Sequence, residues 1–548
     1  MAGALCLAGF CSEDSGDGGC ESSDSGVGGD TAVYEYHDYD VDQCTFQRFV
    51  VTHNPEETSE GYTLISPIND RASFLVDNYG NVARVWDESR VFESKDELYP
   101  DGTRGSIVLE TTSPYDESIT ASIETYDING RSLWTWSGKN LLENYYNITY
   151  TTMSAPVGVT HDLLRLPGSG NFLTIFGVPM SDAEALSVGW SNFDDDSILK
   201  RDLIIEIDSA TSEVVWIWDP IEHIIQDQHP DLPTYGTPSL HPELLDPNYV
   251  QKRKNAGSEY STIEGQLTHF SGLYYDEKHD QILVSEALRY SEVWILDHSA
   301  LIPSGHTGGR YGKGGDILYR WGNAEAYGLG GIDSNILKVT HDPHLIEDGL
   351  RGAGNMLVFN NGFFLGNQTS VENLRPDTSY GVSSVHEITL PRNPDGSFYR
   401  NEGHAYGPLR DEQVWVYHAD PPESLWTGQF GGSQRMSNGN TLISAGNVFA
   451  RLLEVTEDNS IVWEINFGYG KKSEEIALEN EMVHNSDNAR FGATMLFAMP
   501  YQVSLTQKPH KYNSSWSGIQ ALNNSRLPLY FDKCPMRITS DVQKDELL

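Results

Sequence analysis

Three histidines and one arginine are the residues in this sequence best suited to do chemistry. His161 stands in Thr160-His161-Asp162-Leu163, His269 in Thr268-His269-Phe270, and His341 in Thr340-His341-Asp342-Pro343. Each opens or just precedes an apolar stretch, and each stretch runs into a further strand, at Gly170-Asn171 and Gly354-Asn355 through a Gly-Asn turn. A neutral imidazole serves as nucleophile or general base, and as general acid once protonated. Arg289, in Ser285-Glu286-Ala287-Leu288-Arg289-Tyr290-Ser291, adds a planar fork of donors suited to an anion. Three imidazoles alone would suggest zinc or another metal. With the arginine they suggest an anionic substrate and a nucleophile, because the guanidinium would repel a metal cation. No carboxylate has the spacing of a metal triad, although Asp162 and Asp342 could orient neighbouring groups.

Something must bring residues so far apart in the chain together, and the chain shows it as a repeat. An apolar strand is followed by a second strand ending in an acidic residue, then a turn with Gly or Asn, then a strand carrying Trp. Copies run through Tyr62 to Trp86, Gly105 to Trp136, His161 to Trp218, His269 to Trp321, His341 to Trp415, and Gly439 to Trp463. Units of three or four short strands with a periodic Trp read as propeller blades, so the expected fold is all-β, a six-bladed β-propeller. The histidines enter three blades at matching places, where first residues of innermost strands face a central channel. Insertions at 220–265 and 299–315 explain the uneven spacing, and the first is expected to cover or flank the channel end. The Trp residues and Gly-Asn turns read as packing and turn chemistry. Residues 490–499 look like one more strand that closes the ring. The expected division is a low-complexity acidic tether or signal remnant over 1–45, the propeller over 46–500, and a C-terminal extension over 501–548.

Composition narrows the function. The chain of 548 residues carries 36 basic and 79 acidic side chains, a net charge of −43, so a phosphate backbone would be repelled and nucleic acid is not an expected partner. No apolar run approaches the roughly 20 residues of a membrane span. The five cysteines are Cys6, Cys11, Cys20, Cys44 and Cys534. Their spacing offers no metal or redox motif, and Cys44 and Cys534 flank the repeats as either a disulfide or two thiols. A short apolar patch at Ala2 to Phe10 before a Ser/Asp/Gly-rich tract suggests a secretion signal and tether.

The sequence resembles the aryl-sulfate sulfotransferases, the bacterial family that does not use a nucleotide sulfate donor. The resemblance rests on Thr160-His161-Asp162-Leu163, Trp216-Ile217-Trp218, His241-Pro242-Glu243-Leu244-Leu245-Asp246, and Ile295-Leu296-Asp297-His298-Ser299. It continues through His306 to Asp316, Leu318 to Asn323, Gly352 to Gly362, Gln434-Arg435 and Asn438 to Ile443, and so covers nearly the whole repeat region from Tyr62 to Phe467. It implies a six-bladed propeller that moves a sulfuryl group from an aryl sulfate to a phenol through a sulfated histidine. By motif position His341 is that nucleophile, His161 and His269 are supporting histidines, and Arg289 binds the sulfate. It implies no cofactor and no metal, small-molecule donor and acceptor partners with a homodimer allowed, and a periplasmic, secreted or surface-tethered protein. One branch of the family has a sizeable N-terminal β-domain, whereas here about 60 residues precede the first blade. Two other readings are open at this point: an inactive propeller that binds a sulfated ligand or a partner protein, and a metal-dependent propeller enzyme.

Overall fold

The structure is a computed structural model. It describes residues 51–466 apart from 67–71, 88–91, 110–120, 142–157, 194–198, 250–264, 301–304, 331–333, 363–382, 446–450 and a few single positions, together with 510–512 and a short pairing of 4–5 with 36–37. Cys44 and Cys534 lie outside these residues, as does the strand expected at 490–499.

Six antiparallel sheets form a ring, a six-bladed β-propeller. The third blade runs outward from Gly158–Arg165 through Phe172–Pro179 and Lys200–Ile207 to Val214–Trp218. The fourth runs from Phe270–Asp276 to Tyr319–Trp321, the fifth from Thr340–Leu345 to Trp415–His418, and the sixth from Gly432–Arg435 to Ile461–Asn466. The second blade starts at Phe92–Leu98 and ends at Ser132–Trp136.

Closure uses both flanks of the repeat region. Val51–His53 pairs outside Ile461–Asn466 as a fifth strand of the sixth blade. The first blade, built from Tyr62–Ile65, Ala72–Asp77 and Val82–Asp87, takes its innermost strand from His510–Tyr512. The ring therefore draws a strand from the stretch expected to be a C-terminal extension. Lys511 on that strand forms a buried ion pair with Glu454 of the sixth blade, at 3.0 Å.

Local chemistry explains the repeat pattern. The acid at the end of a strand folds the turn that follows: Asp77 Oδ1 accepts from the backbone of Tyr79 and Asn81, and Asp127 Oδ1 from Asn129 and Arg131. Asp208 does the same for Ala210 and Thr211. The periodic Trp residues pack between blades and also bond across them. Trp136 donates to Ser212 O, Trp216 to Ala300 O, Trp321 to Pro408 O, Trp415 to Glu457 O and Trp463 to Asn78 O. In each case the acceptor belongs to the next blade, and the last bond joins the sixth blade to the first.

Candidate active site

The innermost ladder breaks at His161, just after His341 and two residues after His269. Strand register shifts between Thr160 and Leu163, between Phe270 and Gly272, and between His341 and His344. The bulges release His161 with Asp162, Ser271, and Asp342 with Pro343 from pairing and bend the strand ends that carry the histidines. His161 holds φ 62° and Asp342 φ 50°, left-handed values that cost about 1–3 kcal/mol each for residues with a side chain. Gly272 allows the fourth and fifth blades to approach at this level, because a Cβ there would lie 2.8 Å from Asp342 N.

The two carboxylates beside the histidines hold the blades together. Asp162 Oδ2 accepts from Leu273 N at 2.7 Å, and Asp342 Oδ2 from Ser433 N at 2.8 Å. Asp202 adds a bond from Phe270 N at 2.8 Å. Asp162 also pairs with buried Lys95 at 3.2 Å. Asp162 and Asp342 thus clamp neighbouring blades at the level of the imidazoles.

His161 and His269 meet edge to face, with ring centroids 4.8 Å apart. Burial pulls His161 down to about 3, with His341 and Lys200 adding to the effect and Asp162 opposing it. Burial also lowers His269 well below the ordinary value, with contributions from His161, Lys200 and His341. His341 is lowered to about 4 by burial, against a hydrogen bond to Asn361 that favours the charged form. All three imidazoles are therefore neutral near pH 7.

Each ring is fixed through Nδ1. His161 Nδ1 lies 2.6 Å from Thr160 Oγ1, His269 Nδ1 2.8 Å from Gln266 Oε1, and His341 Nδ1 2.6 Å from Asn361 Oδ1. The last contact determines a tautomer. The Asn361 amide nitrogen donates to Thr427 O at 2.9 Å and Phe430 O at 2.6 Å, so the amide oxygen must face His341. His341 then donates from Nδ1 and carries its lone pair on Nε2.

Arg289 lies in the turn between Gln281–Glu286 and Glu292–Asp297 and is joined to His269 through two shared partners. Glu286 Oε1 accepts from the backbone of both His269 and Arg289, at 3.0 and 3.2 Å. Gln266 takes His269 on its side chain and the Arg289 Nε–H on its carbonyl, the latter at 2.8 Å. Burial raises the Glu286 carboxyl to about 7, against the pull of four backbone N–H bonds. The guanidinium also donates to Pro247 O and Tyr249 O and lies over the Trp190 ring at 5.0 Å. Pro247 and Tyr249, in the described part of the insertion at 220–265, thus lie beside the arginine. Asn361, Gln266, Glu286 and Lys200 were not singled out from sequence. Only Asn361 had a signal, its place in Asn360-Asn361-Gly362.

The fold and these residues together define a propeller with buried, neutral imidazoles near a guanidinium at its centre. Residues 48–295 match the family described as Arylsulfotransferase (ASST), which supports a relationship to the arylsulfotransferases. The matched residues include His161, His269 and Arg289 and end before His341. No curated protein matches the sequence. Among solved structures, a Bacteroides caccae protein of unknown function shares 12% identity over 74% of this chain and 94% of its own, at a TM-score of 0.36. A putative 6-phosphogluconolactonase from Bacteroides fragilis shares 11% over 75% and 97%, at 0.32. BamB from Moraxella catarrhalis shares 8% over 74% and 82%, at 0.26. Likenesses this slight carry no weight for fold or function.

Proposed function

We propose that this protein moves a sulfuryl group from an aryl sulfate to a phenol in two half-reactions through a sulfated His341. The observation that carries the reading is the Asn361 amide, which holds the proton on His341 Nδ1 and leaves the Nε2 lone pair as nucleophile. In the first half-reaction an N–S bond forms at Nε2 and the bond from sulfur to the aryl oxygen breaks. The departing phenolate takes a proton from a neighbouring imidazolium, His269 or His161. In the second, the acceptor phenol gives its proton to that imidazole, its oxygen bonds to sulfur, and the N–S bond breaks. Sulfuryl transfer resembles phosphoryl transfer, where positioning and charge neutralisation dominate. Arg289 serves as donor fork for the sulfonate oxygens by exchanging bonds that it now makes to Gln266, Pro247 and Tyr249, and Lys200 supplies a second positive charge beside His161 and His269.

The bound monoanion is what allows one imidazole to charge, since it offsets the burial that keeps all three neutral. The donor therefore helps to create its own general acid. The reading also places the protein outside the cytoplasm, as is typical of the arylsulfotransferase family.

Intact mass after mixing with a chromogenic aryl sulfate alone tests the mechanism. The expected result is one added sulfuryl group located at His341, absent from His341→Ala, with ping-pong kinetics once a phenol is supplied. Undiminished turnover in His341→Ala with no trapped adduct would overturn it. Binding of aryl sulfate without turnover would leave a sulfated-ligand binder instead.

A further inference from the structure

A second cluster of ligating side chains lies away from the channel histidines, where the third and fourth blades meet, and sulfuryl transfer makes no use of it. His223 ends the short turn Pro220–His223 that follows the outer strand Val214–Trp218. His306 and Asp316 belong to the glycine-rich loop between Glu292–Asp297 and Tyr319–Trp321. Both imidazoles converge on one carboxylate oxygen. Nδ1 of His223 lies 2.9 Å, and Nδ1 of His306 2.8 Å, from Asp316 Oδ1. One ligating atom from each of the three residues lies within 4.8 Å of the other two.

The cluster is built into the fold on two sides and open on the third. His223 is fully buried and stacks on Trp218 at 5.1 Å with an angle of 3° between the rings. The Trp218 indole N–H donates to Gly315 O at 2.6 Å, next to Asp316. The loop is folded so that His306 meets Asp316: Gly315 N donates to Gly305 O, and Gly314 N to Gly308 O. Gly314 has φ 59°, and a Cβ there would lie 1.9 Å from Gly305 O, so the fold requires glycine at this position. The His306 side chain is 57% exposed, which gives an entering ion a path and a ligand free to adjust.

Two imidazoles and one carboxylate form a donor set suited to zinc and similar first-row divalent ions, whereas magnesium and calcium prefer oxygen alone. An ion about 2.0–2.2 Å from each donor would spread the donors slightly beyond their present spacing, a movement the exposed His306 can supply. We propose that His223, His306 and Asp316 bind one divalent transition-metal ion of the zinc class, with a remaining position open to water. Its role is structural. His223 O accepts from Leu245 N, Glu243 O accepts from Ile317 N, and Pro247 and Tyr249 of the same segment hold the Arg289 guanidinium. The ion would lock the segment that carries the arginine's partners to the fourth blade.

The test uses the full chain after chelator treatment and dialysis, titrated with zinc and with cobalt(II). The expected results are one equivalent bound, a cobalt visible spectrum of low-coordinate nitrogen and oxygen ligation, and a Tm that rises with zinc. His306→Ala, at an exposed position, should keep its metal-free Tm and lose both the binding and the zinc-induced rise, with Asp316→Asn losing the binding as well. His341→Ala should bind as the unaltered protein does. Absence of zinc binding, or undiminished binding in His306→Ala, would overturn the proposal, and loss of binding in His341→Ala would put the ion in the channel instead.

Discussion

Asn361 faces His341 with its oxygen, at 2.6 Å, because its nitrogen is committed to two backbone carbonyls. If that contact sets the tautomer, Asn361→Ala leaves Nδ1 and Nε2 to exchange the proton and weakens the nucleophile. Transfer should fall on the order of 10²-fold or more, as when a catalytic imidazole loses the group that orients it. Donor affinity and near-ultraviolet circular dichroism should change little. A fall in KM-based donor affinity with unchanged kcat would argue that Asn361 only shapes the pocket.

Arg289→Lys removes the fork while keeping the charge. A hydrogen bond to a charged group contributes about 1.5–3 kcal/mol, so donor KM should rise roughly 10- to 100-fold. The same change loosens the segment at Pro247 and Tyr249, so Tm should fall as well. Steady-state kinetics with two aryl sulfates of different leaving-group acidity would check this. The rise in KM should be the same for both.

Donor binding should be coupled to proton uptake. His341 and His161 are lowered to about 4 and 3 in the empty site, and a bound sulfate monoanion pushes them upward. Affinity for a non-transferable aryl sulfonate should therefore tighten as pH falls below about 7. Calorimetry in buffers of different ionisation heat should report net protons taken up. Binding independent of pH between 5.5 and 7.5 would show that the imidazoles stay neutral in the complex.

The same depressed values make the fold acid-sensitive. Unfolding restores each histidine to its ordinary value near 6.5, so between about 6.5 and 4 the unfolded chain binds more protons than the folded one. Stability should fall with pH across that window and be unaffected by these groups above it. His341→Gln should flatten part of the decline in Tm measured from pH 7.5 to 5, and an unchanged slope would count against the lowered His341.

Asp162→Asn should destabilise the ring at the level of the imidazoles. It takes from Lys95, 1% exposed, the nearer of its two carboxylates, at 3.2 Å, leaving Glu97 at 3.5 Å, and weakens the clamp on Leu273. Loss of one member of a buried ion pair costs about 3–5 kcal/mol. Chemical denaturation should show the loss in its midpoint, and a shift within error would mean the clamp is dispensable.

Much of the ring could be read from the sequence because each blade repeats a local solution. Asp77, Asp127 and Asp208 fold turns of the same kind, and Trp136, Trp216, Trp321, Trp415 and Trp463 reach the following blade, so spacing alone exposes the period. The channel histidines were legible for the same reason. Phe92–Leu98 was not, since Phe-Glu-Ser-Lys-Asp-Glu-Leu reads as surface, yet Lys95 and Asp96 are buried and paired with Asp162 and Arg104. His510–Tyr512 has too few residues to show an alternating pattern. Glu286, Gln266 and the amide orientation of Asn361 depend on contacts made after folding, and His223 lies 93 residues from Asp316, beyond the reach of any spacing rule.

The strand His510–Tyr512 also bears on how the protein is made. It is the inner edge of the first blade, and it meets a sheet whose other strands were synthesised more than four hundred residues earlier. While the chain grows, Tyr62–Ile65 waits with an open edge, so blades two to six must assemble beside an unfinished neighbour. A chain stopped before residue 510 can build every histidine-bearing blade and still lack the last stave of the channel wall. Ring closure thus waits on a strand made late in synthesis, and a segment spanning 510–512 added in trans is expected to complete a ring truncated before it, as a missing strand is supplied in other β-proteins.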